Sequence, residues 1–199
     1  MKIRFEKYNP VWKQSFEQIK NELTDTIGFI SPRIEHIGST SVEGLSAKPI
    51  IDILVGLKND GDLDKTIRPL TDKGYIYYEK YNTDMPYRRF FVRLKDNAGR
   101  PESPVIIRAD DEIPDYLADL RNRLAHIHIL TYNSEHWTRH IAFRDYLRSH
   151  PHIREEYRQL KELLSAREWR DGNEYNEGKD DFMKREERNA IEWYKNNYK

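Results

Sequence analysis

A single acid inside an otherwise apolar strand constrains this chain more than any other feature. The stretch from Pro49 to Leu57 reads Pro-Ile-Ile-Asp-Ile-Leu-Val-Gly-Leu, and Asp52 is its one charged residue. An isolated buried charge is prohibitively costly, so this carboxylate must be paired, hydrogen-bonded or bound to a cation. A ligand site beside the strand is the simplest of these arrangements, and we expect one there.

A turn of small residues precedes this strand. Gly38, Ser39 and Thr40 follow a first apolar strand, and Lys48 stands between them and Asp52. Glycine allows a ligand to approach the backbone closely, while hydroxyl groups and free amides can bind an anion. A Gly-Ser pair alone usually marks an ordinary turn. The strand acid about thirteen residues after the serine, with a lysine between, turns this pair into a candidate phosphate site.

Two histidines mark a second strand that alternates polar and apolar residues. Because strand side chains alternate between faces, His126 and His128 lie on the same face. Together with Asp52, and with His36 from the first strand, they make a set of nitrogen and carboxylate donors. We predict that these four residues bind a divalent cation, with Mg²⁺, Mn²⁺ and Zn²⁺ as candidates, although such donors suit Mg²⁺ least. Hydrogen bonds between the histidines and Asp52 would explain the buried acid equally well.

Several motifs occur along the chain in an order typical of one family. They are His36-Ile-Gly-Ser-Thr-Ser-Val, Ala47-Lys48-Pro49-Ile-Ile-Asp52-Ile, Arg88-Arg89-Phe90-Phe91, His126-Ile-His128, the helix from Trp137 to Arg148, and Tyr175 with Lys179. This order resembles the GrpB family, small bacterial proteins of the nucleotidyltransferase-like superfamily. The resemblance implies an α/β (α+β) fold, with a mixed β-sheet flanked by helices and a helical C-terminal third.

Helical spacing supports that division of the chain. We expect one domain over residues 1–199, with a sheet-containing core over 1–132 and helices over 133–199. Ser134 is a predicted helix cap, Pro151 begins a second helix, and residues 174–194 form a third.

The resemblance also implies a function. We expect the protein to bind a nucleotide or another phosphorylated small molecule and to transfer a nucleotidyl group to a small acceptor in a metal-dependent reaction. Asp52 and His128 are the predicted catalytic residues. Active members of the superfamily carry a second acid two residues after the first, and here that position holds Leu54. The acid set is therefore incomplete for two-metal chemistry.

Five further residues are predicted to contact phosphate. Strand alternation places only one of Arg88 and Arg89 on the site face, and the sequence does not say which. His140 and Arg144 are four residues apart on one helix and match the family motif, as does Lys179. Surface positions for the strand arginines and ion pairs with nearby acids for the helical residues are the competing interpretations.

Two other functions stay open from the sequence. GrpB-like domains also occur joined to dephospho-coenzyme A kinase, which favours a catalytically silent accessory or ligand-binding protein. A metal-dependent enzyme of different chemistry, with the histidines as ligands, is the other alternative.

Composition excludes several classes of partner and chemistry. Lys and Arg together number 34, as do Asp and Glu, so the formal net charge is zero and we expect no long nucleic acid as partner. The chain has no cysteine, which excludes thiolate ligands and cysteine nucleophiles. Without a signal-peptide core or a membrane-length apolar stretch, we expect a cytoplasmic protein that does not bind membranes. The oligomeric state is left open.

Overall fold

The structure, a computed structural model, describes residues 5–95, 104–169 and 172–198. Its strands are β1 (Arg33–Ile37), β2 (Ile51–Leu57), β3 (Ile76–Tyr78), β4 (Arg88–Leu94), β5 (Ile106–Ile107) and β6 (Arg123–Thr131). Its α-helices are α1 (Val11–Ile27), α2 (Ile67–Asp72), α3 (Asp115–Ala118), α4 (Glu135–Ser149), α5 (Pro151–Ser165), α6 (Gly172–Glu177) and α7 (Asp180–Asn197). The mixed sheet, its flanking helices and the helical C-terminal third confirm the predicted fold class.

The sheet has the strand order β1-β2-β6-β4-β3-β5. Strands β2 and β6 are parallel neighbours in its interior, while β1 pairs antiparallel with β2 at one edge. Their register places Asp52 opposite His126 on β6 and opposite Ile37 on β1. The near-continuous apolar sequence of β2 fits a strand covered on both faces.

Helices α1 and α2 cover one face of the sheet, here called the α1 face. The apolar residues of α1 recur at helical spacing and pack on Ile53 and Ile127, both fully buried. The side chain of Asn9 accepts a hydrogen bond from the backbone N–H of Val11, which caps the helix at its start. This face is a continuous hydrophobic core.

Helices α4, α5 and α7 cover the opposite face, here called the site face. Ser134 caps α4 as predicted, because its side chain accepts a hydrogen bond from the N–H of Trp137 at 3.1 Å. The Trp137 ring packs directly on Gly56 of β2, where an added Cβ would lie 2.5 Å from the ring. The glycine therefore lets α4 approach the sheet closely.

The structure corrects one predicted element. The single helix expected over residues 174–194 is two helices, α6 and α7, separated at Gly178 and Lys179. Gly178 packs tightly against Leu164 and Trp169, which places the break against the end of α5. Within the described ranges, none of the helices is long and apolar enough to cross a membrane.

Candidate functional site

Asp52, His126 and His128 share the site face near the centre of the sheet. Paired residues on neighbouring strands point to the same face, so the register of β2 and β6 sets this arrangement. The Asp52 side chain keeps 32% of its accessible surface and His126 keeps 17%, so both are partly open. Gly38 lies against Asp52, and Lys161 of α5 contacts Ser39; we call the region around Asp52, His126, His128 and this turn the cleft.

A chain of hydrogen bonds resolves the buried charge of Asp52. Arg123 Nη1 lies 3.2 Å from His126 Nε2, and His126 Nδ1 lies 3.1 Å from Asp52 Oδ1. Because arginine can only donate, His126 accepts at Nε2 and donates from Nδ1 to the carboxylate. Burial raises the pKa of Asp52, but this bond and the surrounding cations outweigh burial and hold the pKa below its usual value. Asp52 is therefore ionised.

The turn at Gly38 lies directly against Asp52. Gly38 has a φ of +69°, and an added Cβ would lie 2.4 Å from Asp52 Oδ2. Both the backbone conformation and the space therefore require glycine at this position. The prediction that this turn lies beside the strand acid is confirmed by the geometry.

Three lysines gather beside this turn. Lys48 Nζ and Lys179 Nζ lie 5.2 Å and 5.0 Å from the centroid of the Tyr175 ring. Lys161 Nζ donates to Ser39 Oγ at 3.1 Å and also to the carbonyl of Ser46. We call Lys48, Lys161 and Lys179 the lysine cluster.

The pKa values of the cluster reflect burial and mutual repulsion. Burial and the neighbouring Lys179 lower the pKa of Lys161 to about 7. Burial and the same neighbour lower the pKa of Lys48 to about 8, while Asp52 acts in the opposite direction. Burial likewise lowers the pKa of Lys179 against the attraction of Asp52 and Glu187. An anion placed among these ammonium groups would favour their protonated forms.

Sequence reasoning missed Lys161. It follows Tyr157 by four residues and Ile153 by eight, so it occupies an apolar position in the helical repeat of α5. Only 2% of the residue is exposed, and its ammonium group also lies over the Tyr157 ring. A lysine in the buried stripe of an amphipathic helix was the signal that could have identified it.

At the other end of the cleft, an arginine lies among histidines. Arg88 Nη1 lies 3.2 Å from His128 Nδ1, which must accept this bond, so the His128 proton is on Nε2. The rings of His128 and His140 are 5.9 Å apart. Burial lowers the pKa of His128 well below its ordinary value and that of His140 to about 3, so both are neutral at pH 7. Of the two neighbouring arginines on β4, Arg88 is therefore the one on the site face.

Two predicted site residues lie elsewhere. His36 is paired with Ile53 and therefore points to the α1 face, away from Asp52. Its ring stacks on Phe16 at 4.7 Å, and its Nε2 lies 3.0 Å from the buried hydroxyl of Thr40. The prediction that His36 shares a metal site with Asp52 is wrong, and the Thr40 hydroxyl supports the fold on the α1 face.

Two predicted phosphate ligands are engaged in ion pairs. Arg89 lies on the α1 face and pairs with Asp64 at 2.6 Å. Arg144 pairs with Glu35 at 2.9 Å and with Asp145 at 2.7 Å. These two residues are corrected to structural roles. Arg144 also donates to the carbonyl of His36, which fastens α4 to the edge strand β1.

Three of these residues, His36, Thr40 and Arg144, border a separate groove. It measures about 900 Å³ and runs beside β1, with Lys13, Arg148 and Arg154 among the residues that line it. Its lining includes Glu35 and His36 but not Asp52, His126 or His128.

The donors present do not form a metal site by themselves. Across residues 5–95, 104–169 and 172–198, no three histidine, aspartate or glutamate side chains gather with metal-binding geometry. His126 donates its Nδ1–H to Asp52 and accepts from Arg123 at Nε2, so of these two residues only Asp52 offers a free lone pair to a cation. Any cation held there would need its remaining ligands from a bound molecule.

Relatives of known sequence match most of this chain. The protein named UPF0157 protein YqkA of Bacillus subtilis is 30% identical over 98% of the chain, which spans about half (49%) of that relative's length. The glutamate-rich protein GrpB of Alkalihalophilus pseudofirmus is 29% identical, with 86% of each chain covered. A protein named dephospho-CoA kinase from Mycolicibacterium paratuberculosis is 25% identical over 96% of this chain and 46% of its own length.

A solved structure and a family model agree with these relatives. The crystal structure of conserved protein GrpB from Enterococcus faecalis matches with a TM-score of 0.75 and 30% identity, covering 96% of this chain and 99% of that one. The family model described as GrpB protein matches residues 2–189. The chain therefore belongs to the GrpB family.

Proposed function

We propose that the cleft binds a phosphorylated small molecule, with nucleotides as the first class to test, and places its phosphate at the lysine cluster. The observation that carries the proposal is the convergence of Lys48, Lys161 and Lys179 beside the Gly38-Ser39 turn. Asp52 acts on Lys48 and Lys179 through space, without a hydrogen bond to either. Buried ammonium groups without paired carboxylates repel one another, and a phosphate would relieve that repulsion.

Asp52 gives the cleft its chemical capability. It is ionised, partly open and oriented by His126, so it can accept a hydrogen bond or a proton from a ligand hydroxyl. Nucleotidyl transfer to such a hydroxyl is the reaction that family membership favours. Leu54 stands at the position of the second acid, so this strand lacks the pair of carboxylates that two-metal catalysis requires.

The divalent cation stays a prediction. Asp52, oriented by the Nδ1–H of His126, would be its protein ligand, and phosphate oxygens of the bound molecule would complete the shell. A cation bound this way enters only together with the ligand. Its test is therefore a ligand titration with and without Mn²⁺.

An accessory role is the second candidate function. It is favoured by the match to a protein named dephospho-CoA kinase, of which this chain covers 46%. A domain of this kind would bind a phosphorylated ligand without turning it over. Pyrophosphate release from nucleoside triphosphates, offered with a range of small hydroxyl acceptors, would support the transferase.

The binding proposal is tested by calorimetric titration of wild type with AMP, ADP, ATP and pyrophosphate, each with and without Mn²⁺. We expect Lys48→Met to weaken phosphate binding by about tenfold or more, since a charge-assisted bond contributes about 1.5–3 kcal/mol. Lys58→Met, at an exposed position outside the cleft, is the matched control and should bind like wild type.

The outcomes separate the candidates. Loss of binding in Lys48→Met and not in Lys58→Met supports the proposal, whereas no binding of any phosphate compound to wild type refutes it. Asp52→Asn should abolish any part of the affinity that depends on Mn²⁺. If Mn²⁺ changes nothing in wild type, the lysine cluster alone neutralises the phosphate.

A further inference from the structure

Arg88 carries a half-buried charge for which the described residues provide no carboxylate. Its described contacts are His128 Nδ1 at 3.2 Å and the face of the Phe90 ring, with 5.1 Å between the guanidinium carbon and the ring centroid. Its Nε atom is buried and has no hydrogen-bond partner within the described ranges. Besides burial, the groups that act on its pKa are Tyr87, Tyr81 and Arg139, and none of them is a carboxylate.

The neighbours of Arg88 do not compensate for this charge. His128 and His140 are neutral at pH 7 for the reasons given above, and Arg139 pairs with Glu187 instead. Arginine stays protonated in proteins, so the guanidinium remains a cation with one unused donor edge. A half-buried charge without a carboxylate partner is unfavourable, and a bound anion would relieve it.

This cation lies apart from the lysine cluster. Arg88 is opposite Leu130 on β6, four residues beyond His126, and four strand residues span about 13 Å. The Arg88 side chain reaches back to His128, whereas the lysines lie beyond Asp52 on the other side. The two cationic ends are therefore separated by on the order of 10 Å.

The ends also differ in charge and shape. The lysine cluster offers three ammonium groups, which suit the multiple charges of phosphate. The Arg88 end offers one planar guanidinium supported by neutral imidazoles, which suits a planar anion of single charge. A carboxylate has that charge and geometry.

We propose that the Arg88 end is a second anion subsite that takes a carboxylate, so that the ligand is an elongated phosphorylated carboxylic acid. This inference rests on the proposed phosphate site, and it names the chemical class of the molecule that occupies it. Asp52 then faces the middle of the ligand, between its two anionic ends. His128 Nε2–H is a second donor available to the carboxylate.

The test compares two probes that differ in a single group. The first, ω-phosphonohexanoate, carries a phosphonate and a carboxylate at the ends of an unbranched chain. The second, hexylphosphonate, has the same chain without the carboxylate. We expect wild type to bind the first about tenfold more tightly or better, and Arg88→Gln to reduce this preference to less than about twofold. The affinity of Arg88→Gln for hexylphosphonate should remain that of wild type.

Arg89→Gln is the matched control, because Arg89 lies on the α1 face and should leave the preference intact. Equal binding of both probes to wild type would overturn the carboxylate subsite while leaving the phosphate site standing. A preference that survives in Arg88→Gln would also overturn it. Failure of both probes to bind wild type would also overturn this inference, and it would count against the phosphate site only if the nucleotides and pyrophosphate fail to bind as well. Circular dichroism and thermal unfolding of Arg88→Gln exclude loss of folding, and Arg88→Lys tests whether charge without the planar group suffices.

Discussion

Single residues set the chemistry of the cleft through packing as much as through charge. Asp52 tolerates a largely apolar strand because His126 donates to one of its oxygens at 3.1 Å. Gly38 leaves room for the other oxygen, since no larger residue fits against it. The acid, the imidazole and the glycine therefore act as one unit.

Gly38→Ala tests that unit. The new Cβ would lie 2.4 Å from Asp52 Oδ2 in a left-handed backbone conformation, so both strain and overlap oppose folding. We expect a loss of about 1–3 kcal/mol in the free energy of unfolding, measured by denaturant titration, and weaker phosphate binding. Gly28→Ala is the control, because an added Cβ there meets nothing within 4 Å, and it should unfold like wild type. Equal stability of the two variants would show that Gly38 does not confine Asp52.

Strand periodicity was enough to predict which residues of one strand share a face of the sheet. Alternation placed His126 and His128 on one face, and the structure confirms it. It could not place His36, because the face of a residue on β1 depends on the register with β2, and a shift of one residue reverses the face. For the same reason, the sequence could not say which of Arg88 and Arg89 lies on the site face.

At the scale of elements, helix α5 holds the Gly38-Ser39 turn in place. Lys161 reaches from α5 to Ser39 Oγ and the Ser46 carbonyl, so one side chain joins the helix to both ends of this segment. The helix itself is held by the apolar cluster that includes Tyr157 and Phe182, whose rings stack at 4.9 Å. The lysine cluster is thus assembled from three separate segments of the chain.

Lys161→Met should stabilise the protein while removing phosphate binding. The pKa of Lys161 is about 7 in the folded protein against 10.5 as its ordinary value, so the unfolded chain binds more protons between these values. The buried lysine therefore lowers the free energy of unfolding most below pH 7, and this destabilisation decreases as the pH rises toward 10. We expect the variant to gain on the order of 2–4 kcal/mol in unfolding free energy at pH 6, after the loss of two hydrogen bonds, and less at pH 9.

Urea titrations at both pH values, with Lys58→Met as control, measure this difference. A stability difference from wild type that does not change with pH would contradict a buried, titrating lysine.

The lysine cluster could be predicted only in part. Lys48 and Lys179 follow from the family motifs, and Lys179 lies over Tyr175, which precedes it by four residues. Their convergence with Lys161 depends on the packing of α5 and could not be predicted from the motifs. A continuous helix was predicted over residues 174–194, but the chain breaks at Gly178 and Lys179. Glycine is a poor helix former, and Gly178 also packs against Leu164 and Trp169, so local propensity and tertiary packing both favour a break at this position.

At the scale of the whole molecule, a formal net charge of zero conceals an uneven distribution. Exposed helices carry ion pairs such as Arg158 with Glu155 at 2.6 Å, while the cleft concentrates unpaired cations around one acid. A field of this kind is expected to attract small anions. Composition predicted no long nucleic acid as partner, but only the fold could locate the charge.

The most direct test of the central claim is a crystal structure of the protein soaked with pyrophosphate. The account predicts phosphate oxygens within hydrogen-bond distance of Lys48 Nζ and Lys179 Nζ, beside Ser39 and on the same face as Asp52. Pyrophosphate bound instead in the groove beside β1, among Lys13, Arg148 and Arg154, would contradict it.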